Sequence, residues 1–531
     1  MSFRTPSTPY AVRLPNMGKH LYPLPINPLS TGQFAELLSN VPRERTRAQL
    51  YLHLPFCQSI CTFCLIQKYQ LTLRSPVVAY VTALKNELIA YAQLPYVQNL
   101  RFNNIYFGGG TPSMLEDRYL AEIFELIQRL FTLEDPQITF EGNIQSLTPE
   151  KIRFIRRLGF NRLSTGVQTF DSDLRQRLNL VPTEDDIHRC LNTAREEGFD
   201  DFNLDLMFNL PGQTTAIWER DLLKATELCP SGLDIYETVL AQRTRLYGQV
   251  KRGELALTRD PAQLARNYTL AEEILASSGY EQKNLYVWNR RHFENRLMDS
   301  QDQIRDQELD IIGAGLSSYS FINGIPFFNE ASLSTYIQRI CHHGHAAVSF
   351  YRPTPSQMMR RFMIVSLQTF VFDRARFAAA FHEDMDATFF QEFASFTQRR
   401  LIAHSHDGYR LTPLGRAWAS TMAIEFYDTQ YLQDVMRGRL EKRIAVGMTR
   451  EEEYDHILFT FFHPEIILKG PIDLGLLLKY IRLLKRSDPG WLRELVQSLW
   501  ERSWNYRRFP WCHYLFLGLR MLRGRIFIRG T

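Results

Sequence analysis

The residues with the clearest chemical meaning are three cysteines, Cys57, Cys61 and Cys64, in the run YLHLPFCQSICTFC. Their C-x3-C-x2-C spacing places three thiols on one short loop and supplies no fourth ligand nearby. Electron-transfer iron–sulfur clusters normally have four cysteine ligands, whereas three thiolates on a [4Fe–4S] cluster leave one iron open to a small molecule. The spacing therefore predicts a cluster whose open iron binds a substrate or cofactor.

Other uses of these cysteines fit less well. A structural zinc ion would need a fourth Cys or His at matching spacing. His53 lies upstream, but the alternating strand pattern predicts that it points along the strand rather than into the loop. A disulfide framework conflicts with an odd count of 7 cysteines in 531 residues, and no secretory signal is expected at Met1. Three unconnected buried thiols are the remaining alternative. We expect a reducing, cytoplasmic location.

The cysteine loop follows the first of six apolar segments that alternate with helical patterns: LYLHLPF, NIYFGGG, QITFEGN, RLSTGVQ, FNLDLMF and LDIYETV. Such alternation predicts an α/β fold with a parallel sheet, either open or partly closed into a barrel. Functional residues of parallel sheets gather at the carboxyl ends of the strands. Polar or glycine residues stand at all six ends, so we predict one shared site there.

Two kinds of residue at these ends suit ligand binding. The run Gly108–Ser113 (GGGTPS) lets backbone amides approach a charged ligand without a Cβ clash, although a simple tight turn is the alternative. Glu141 and Asp205 end buried strands, where a carboxylate must be paired or face a ligand, because an unpaired buried charge is costly. Hydrogen bonding to local backbone is the alternative role for both carboxylates.

Composition and patterning suggest the domain organisation. A net charge of +5 is small for 531 residues, so no nucleic-acid partner is expected. A Pro- and Ser-rich start predicts an extended arm, and GYRLTPLGRAWAS predicts a strand, a turn and a helix of a winged-helix-like unit. The amphipathic stretch Leu474–Arg486 and an arginine-rich end suggest peripheral membrane contact. We predict these segments: arm 1–44, partial barrel 45–250, barrel extension 251–350, winged-helix-like domain 351–435 and basic helical extension 436–531.

The motifs YLHLPFCQSICTFC, IYFGGGTPS, FEGN, GFNRLSTGVQTF and LDLMFNLPGQT occur in this order between Tyr51 and Thr214. Together they resemble the radical S-adenosylmethionine (SAM) enzymes of the oxygen-independent coproporphyrinogen III oxidase type. The resemblance implies a partial (β/α)6 radical SAM barrel, a helical, winged-helix-like C-terminal domain and a further helical extension.

The resemblance also implies roles for residues. Cys57, Cys61 and Cys64 would hold the [4Fe–4S] cluster, and its open iron would bind the amino and carboxylate groups of SAM. One or two SAM molecules would contact Tyr51, Phe63, Gly109, Gly110, Thr111, Glu141, Gln168, Asp205 and Met207. The implied reaction begins with a 5′-deoxyadenosyl radical that abstracts hydrogen from a tetrapyrrole propionate, and loss of CO2 leaves a vinyl group. An electron donor such as flavodoxin or ferredoxin is implied as a partner.

Departures from the family pattern leave the reaction open. Leu180 stands where the family has an arginine that helps to bind a SAM carboxylate, and Arg175 or Arg177 is a candidate substitute. Asn209 replaces the glycine of a G-L-P-G-Q-T motif. The alternatives are a haem-ring-opening enzyme, a class C radical SAM methyltransferase or cyclopropanase acting on an aromatic natural product, and a haem chaperone without turnover.

Overall fold

A computed structural model describes residues 8–10, 13–15, 21–38, 47–241, 244–258, 260–294, 296, 309–428 and 431. The predicted basic extension over 436–531, with its suggested membrane contact, lies outside the described residues, as does much of the predicted arm. The described residues belong to two compact units. The larger comprises those of Pro15–Phe390 and Arg400–Ala419, and the smaller comprises those of Met1–Leu14, Gln391–Arg399 and Ser420–Thr531.

The strands of the described residues are β1 Asn27–Pro28, β2 Arg47–Leu54, β3 Phe56–Cys57, β4 Tyr69–Gln70, β5 Arg101–Gly109, β6 Leu133–Gly142, β7 Arg162–Gln168, β8 Asp201–Phe208, β9 Gly232–Glu237, β10 Tyr280–Gln282, β11 Val287–Arg290, β12 Leu309–Ala314, β13 Tyr319–Ile322, β14 Ile325–Asn329, β15 Ala347–Phe350, β16 Val371–Asp373, β17 Ile402–Ser405 and β18 Gly408–Leu411. The six predicted strands correspond to β2 and β5 through β9.

The helices are α1 Thr31–Leu37, α2 Val77–Ala92, α3 Pro95–Gln98, α4 Asp117–Leu130, α5 Pro149–Leu158, α6 Ser172–Arg177, α7 Glu184–Glu196, α8 Thr215–Glu227, α9 Arg245–Lys251, α10 Pro261–Ser277, α11 Leu333–His343, α12 Pro355–Gln368, α13 Arg374–Phe381, α14 Met385–Thr388, α15 Phe390–Gln398 and α16 Pro413–Met422. Local sequence accounts for many boundaries. Helix α5, for example, begins after the N-cap Thr148, whose side chain accepts from Lys151 N–H, and ends before Gly159 at φ +121°. None of the described helices has the length and apolarity that crossing a membrane requires.

One mixed sheet organises the larger unit, in the order β1-β15-β14-β13-β12-β2-β5-β6-β7-β8-β9-β11-β10. Strands β12, β2 and β5 through β9 are parallel to one another. The flanking pairs, β9 with β11 and β12 with β13, are antiparallel. The first and last strands in this order do not pair, so the sheet is an open, partial barrel rather than a closed one. The structure thus adds a seventh parallel strand, β12, to the six that were predicted.

The two faces of the parallel strands differ in chemistry. On β2 the residues Leu50, Leu52 and Leu54 are buried on the outer face, and Tyr51 and His53 alternate with them on the inner face. The other parallel strands show the same alternation. Because residues paired across neighbouring strands point to the same face, the polar residues lie side by side on the inner face. The helices between the strands cover the apolar outer face. The inner face is therefore the part of the barrel that can hold polar ligands.

A smaller antiparallel sheet, β16-β18-β17, also belongs to the larger unit. The strand, turn and helix that GYRLTPLGRAWAS predicts are β18, Thr412 and α16. In the smaller unit, Tyr10 donates a 2.5 Å hydrogen bond to Glu425, and Arg399 also donates to Glu425 at 2.7 Å. The Arg399 guanidinium lies 4.4 Å from the centre of the Tyr10 ring.

Candidate cofactor site

The three cysteines lie on a loop that is closed at its base by the short parallel pair β3–β4. Tyr69 N–H donates to Pro55 O at 2.7 Å, and Leu71 N–H donates to Cys57 O at 2.8 Å. A second element holds the middle of the loop, because Asn179 Nδ2 donates to Ile60 O at 3.1 Å. The chain after α6 therefore fixes the loop from outside, and the thiols do not depend on the loop alone for their position.

The donor set suits a cluster. Cys57, Cys61 and Cys64 are all free thiols. Burial, together with the nearby sulfurs of Cys64 and Cys57, raises the pKa of Cys61 to about 12. Burial also raises the pKa of Cys57, whereas a hydrogen bond from Thr111 Oγ1 to its sulfur, at 3.4 Å, lowers it. The three sulfurs are thus close enough to interact electrostatically.

In the described part of the chain, no group of three His, Cys, Asp or Glu side chains has an arrangement suited to a single metal ion. A [4Fe–4S] cluster makes a different demand, since each of three thiolates binds its own iron and the sulfurs stand farther apart than around one ion. Three interacting free thiols on one supported loop fit that demand.

The glycine run follows β5 and packs directly on the base of the cysteine loop. Gly110 N–H donates to Leu54 O at 2.8 Å, and a Cβ on Gly110 would lie 2.6 Å from the carbonyl carbon of Pro55. Gly109 has φ +109°, and a Cβ there would lie 2.8 Å from His53 Nδ1. Both contacts are closer than any residue with a Cβ tolerates. The glycines are required for this packing.

Two of the predicted carboxylates, Glu141 and Asp205, lie half-buried on the inner face. Burial raises the pKa of Glu141 to about 7, partly offset by a hydrogen bond from Gly109 N–H. Burial, and then the charges of Asp234 and Glu141, hold the pKa of Asp205 well above its usual range. Asn203 Nδ2 donates to Asp205 Oδ1 at 3.0 Å. Local hydrogen bonds are therefore present at both carboxyl groups, and a cationic ligand would favour their ionised forms.

One apolar wall contains Phe63, Leu180 and Met207. Met207 belongs to a buried cluster with Leu174, Leu178 and Leu210, and both Phe63 of the cysteine loop and Leu180 pack against this cluster. Leu180, which replaces the family's arginine, therefore contributes to an apolar surface next to the cysteine loop.

Gln168 ends β7 at φ +69°, and its side chain folds back over Gly166.

The two candidate substitutes for that arginine have different surroundings. Arg175 is buried and donates to the carbonyl oxygens of Val167, Thr169 and Pro182, each at 2.8 Å. These bonds hold the β7–α7 connection together, so the observed role of Arg175 is structural. Arg177 is exposed, and a Cβ on Gly212 would lie 2.9 Å from its Nη1 atom. Arg177 therefore lies beside the Pro211–Gly212 turn that follows β8.

Several inner-face residues were missed from the sequence. Arg162 is 2% exposed and lies 3.5 Å from Asp201, and Asp234 is registered opposite Asp205. The side-chain amide of Asn104 and the hydroxyl of Thr139 are fully buried and have no hydrogen-bond partner among the described residues. The alternation of polar and apolar residues in NNIYF, QITFE, RLSTG and FNLDL could have identified this face.

His53 corrects a further prediction. Its imidazole does not point away from the loop, because Nε2 lies 2.7 Å from Gln67 O, three residues beyond Cys64. The strand pattern alone could not show that the loop returns to His53 at Gln67.

Comparisons with known proteins agree with this geometry. Residues 51–224 match the Radical SAM superfamily. Oxygen-independent coproporphyrinogen III oxidase of Escherichia coli is 27% identical over 420 residues, which cover 74% of this chain and 88% of that protein. Heme chaperone HemW of Lactococcus lactis is 30% identical over 289 residues, which cover 54% of this chain and 73% of that protein. The structure of coproporphyrinogen III oxidase (HemN) from Escherichia coli superposes with a TM-score of 0.67 at 25% identity, over 75% of this chain and 93% of that one. This chain therefore belongs to the radical SAM superfamily, within its oxygen-independent coproporphyrinogen III oxidase-like family.

Proposed function

We propose that this protein is a radical SAM enzyme that converts propionate side chains of a tetrapyrrole to vinyl groups by oxidative decarboxylation. The observation that carries the proposal is the complete cofactor end of the barrel. Three free thiols, the Gly108–Thr111 turn and two inner-face carboxylates meet at one edge of the sheet.

The cofactors are a [4Fe–4S] cluster and SAM, for which the thiols of Cys57, Cys61 and Cys64 are the cluster ligands that fit. Together, when bound and reduced, they supply a 5′-deoxyadenosyl radical that removes one hydrogen atom from the substrate. The side chain then loses CO2, and the remaining electron passes to an acceptor. An electron donor of the flavodoxin or ferredoxin class supplies the reducing electron.

The protein's contribution is binding, orientation and exclusion of water. Gly109 and Gly110 have no side chain to obstruct the ligand, and the carboxylates of Glu141 and Asp205 attract its cationic groups. Tyr51 and Gln168 supply further polar contacts on the same inner face. Phe63, Met207 and Leu180 form the apolar wall described above, which keeps water away from the reacting atoms. Thr111 supports Cys57 through its hydroxyl.

Arg177 is our candidate for the carboxylate contact that Leu180 cannot make. Its exposure leaves the guanidinium able to meet an anion, whereas three donor bonds of Arg175 are already made to backbone carbonyls. A guanidinium can bind a carboxylate through two parallel hydrogen bonds.

Haem delivery without turnover is the second candidate function. The observation in its favour is the 30% identity to Heme chaperone HemW of Lactococcus lactis, which exceeds the 27% identity to the Escherichia coli oxidase. The two functions differ in whether SAM is consumed, so one assay separates them.

The test uses the full chain, reconstituted with iron and sulfide under anaerobic conditions and supplied with SAM, a reductant and a one-electron acceptor. Coproporphyrinogen III or haem is offered, and 5′-deoxyadenosine and product masses are measured. Deoxyadenosine that depends on coproporphyrinogen, with loss of CO2 and two hydrogens per side chain, supports the proposal. Stable haem binding without deoxyadenosine favours the chaperone, and a methylated product favours a methyltransferase.

Two cysteine variants control this assay. Cys64→Ser removes one predicted cluster ligand, so iron content and deoxyadenosine should both fall to background. Cys341→Ser changes an exposed thiol on α11 and should leave both at the wild-type level. Equal iron content in Cys64→Ser and wild type would contradict the assignment of the ligands.

A further inference from the structure

His53 makes two side-chain hydrogen bonds whose directions can be deduced. Its Nε2 atom lies 2.7 Å from Gln67 O, and its Nδ1 atom lies 3.2 Å from Tyr51 Oη. A carbonyl oxygen only accepts, so Nε2 must carry the hydrogen and donate. Nδ1 is then bare and accepts from the Tyr51 hydroxyl. Of the two neutral tautomers, these contacts select the Nε2-protonated form of His53.

The carbonyl that His53 holds lies at the far end of the cysteine loop. Gln67 comes three residues after Cys64, and Lys68 Nζ donates to Cys64 O at 2.5 Å. Immediately beyond Gln67, Tyr69 and Leu71 donate to the backbone on the other side of the loop, at Pro55 and Cys57. The His53–Gln67 bond therefore adds a link between the loop's outgoing end and strand β2, which carries its incoming end.

His53 itself cannot swing away from this position. Only 4% of its surface is exposed, and its ring packs against Gly109, where no Cβ would fit. Its backbone oxygen accepts from the Tyr80 hydroxyl at 2.5 Å. Burial lowers the pKa of His53 to about 4, so the imidazole stays neutral throughout the physiological range.

We propose that His53 is a positioning residue that ties Gln67 to strand β2 and thereby sets the place of Cys64 relative to Cys57. Three thiolates can bind a cluster tightly only if their separation is set before the metal enters, and a second layer of hydrogen bonds is the usual means. At the outgoing end, Gln67 Nε2 also donates to Ala331 O at 3.1 Å, which ties the loop to a segment other than β2. Leu178 and Asn179 hold the middle of the loop. The inference concerns the loop and is independent of the tetrapyrrole reaction.

Two amide variants test this role with nearly the same size and polarity. In His53→Gln the amide nitrogen reaches the place of Nε2 and can donate to Gln67 O. In His53→Asn the shorter side chain ends near the place of Nδ1 and cannot reach Gln67. We expect the Gln variant to behave like the wild type. The Asn variant should release iron to a chelator at least about tenfold faster, the scale typical for loss of a metal site's outer hydrogen bonds.

A second measurement uses the same full-length chain before iron is added. Amide hydrogen exchange at Tyr69 and Leu71 should be faster in the Asn variant and unchanged in the Gln variant, because these amides form the base that the His53 bond supports. Equal iron release by the Asn variant and the wild type would overturn the proposal. So would a Gln variant as fast as the Asn variant, since packing of the imidazole would then be responsible. Should the Asn variant not fold, wild-type iron release by the Gln variant supports the role and a tenfold faster release overturns it. Tetrapyrrole turnover enters none of these measurements, so either result leaves the proposed function to its own test.

Discussion

Replacing Gly110 with alanine tests how closely the glycine turn and the cysteine loop are packed. The added Cβ would lie 2.6 Å from the carbonyl carbon of Pro55 and 2.9 Å from both Leu54 O and Phe56 N, whereas ordinary contact begins at 3.4 Å. All three atoms belong to the backbone, so no side-chain rotation can relieve the overlap. The end of β5 must therefore separate from the segment that leads into Cys57.

The size of the effect follows from two losses. Overpacking at a close contact costs about 1–3 kcal/mol. Separation also breaks the 2.8 Å bond from Gly110 N–H to Leu54 O, a further loss of about 1 kcal/mol. We therefore expect Gly110→Ala to lower the free energy of unfolding by about 2–4 kcal/mol. The Thr111–Cys57 contact lies next to the displaced segment, so cluster loading should fall as well.

The assay compares thermal unfolding of the iron-free chain with iron and sulfide content after reconstitution. Gly32→Ala is the matched control, because its Cβ meets nothing within 4 Å and it lies in helix α1. Alanine there should be neutral or stabilising by up to about 1 kcal/mol. A Gly110→Ala protein that unfolds at the wild-type temperature and loads a full cluster would refute the reasoning, since the two segments would then have room to part.

Further predictions concern a buried carboxylate and the two arginines. Burial raises the pKa of Glu87 to about 7, so the folded protein holds this proton more tightly than the unfolded chain does. The stability that results is fully present below about pH 4.3 and is lost as the pH rises through 7. Between about pH 4.3 and pH 7, the free energy of unfolding of the wild type should therefore fall by about 3 kcal/mol more than that of Glu87→Gln. Parallel pH profiles for the two proteins would contradict this. Arg175→Ala leaves three carbonyls without their donor and should destabilise the chain by about 3 kcal/mol or more, measured by thermal unfolding. Arg177→Gln should instead weaken SAM binding, measured by calorimetry on the reconstituted protein, and change stability by no more than about 0.5 kcal/mol.

The parallel core was predictable because its strands carry both a local pattern and a repeated context of helices. β7, for example, has the bounds of the segment RLSTGVQ. β12 was harder to assign, since DIIGAG is equally compatible with a strand or a turn in isolation. Its identity depends on pairing with β2, in which Ile311, Ile312 and Gly313 align with residues some 260 positions earlier in the chain. Tertiary pairing of that kind leaves no mark in a short window of sequence.

The candidate site, too, was only partly predictable from the sequence. The meeting of the cysteine loop with the glycine turn was expected, because both follow adjacent parallel strands. The different surroundings of Arg175, which is buried, and Arg177, which is exposed, were not expected, although the two residues lie within one short helix. Two positions along a helix turn a side chain by more than half a circle, so one guanidinium enters the protein and the other faces out. Which one does so depends on the direction in which the helix packs, and that direction is set by the tertiary structure.

The polar inner face links the fold to the proposed chemistry. A parallel sheet covered by protein on both faces usually has apolar residues on both. Here Thr139 is registered opposite Arg162, Asn104 is registered opposite Gln137, and Glu141 and Asp205 lie on the same inner face. A buried amide and a buried hydroxyl that have no partner among the described residues each carry a desolvation cost of about 1–3 kcal/mol unless water or a ligand satisfies them. The outer face provides the apolar packing between these strands and the helices. The inner face is consequently a surface that lowers the stability of the empty barrel and gains from occupation by a polar ligand. That relation is expected of a barrel whose carboxylates and amides exist to bind a charged cofactor beside the cysteine loop.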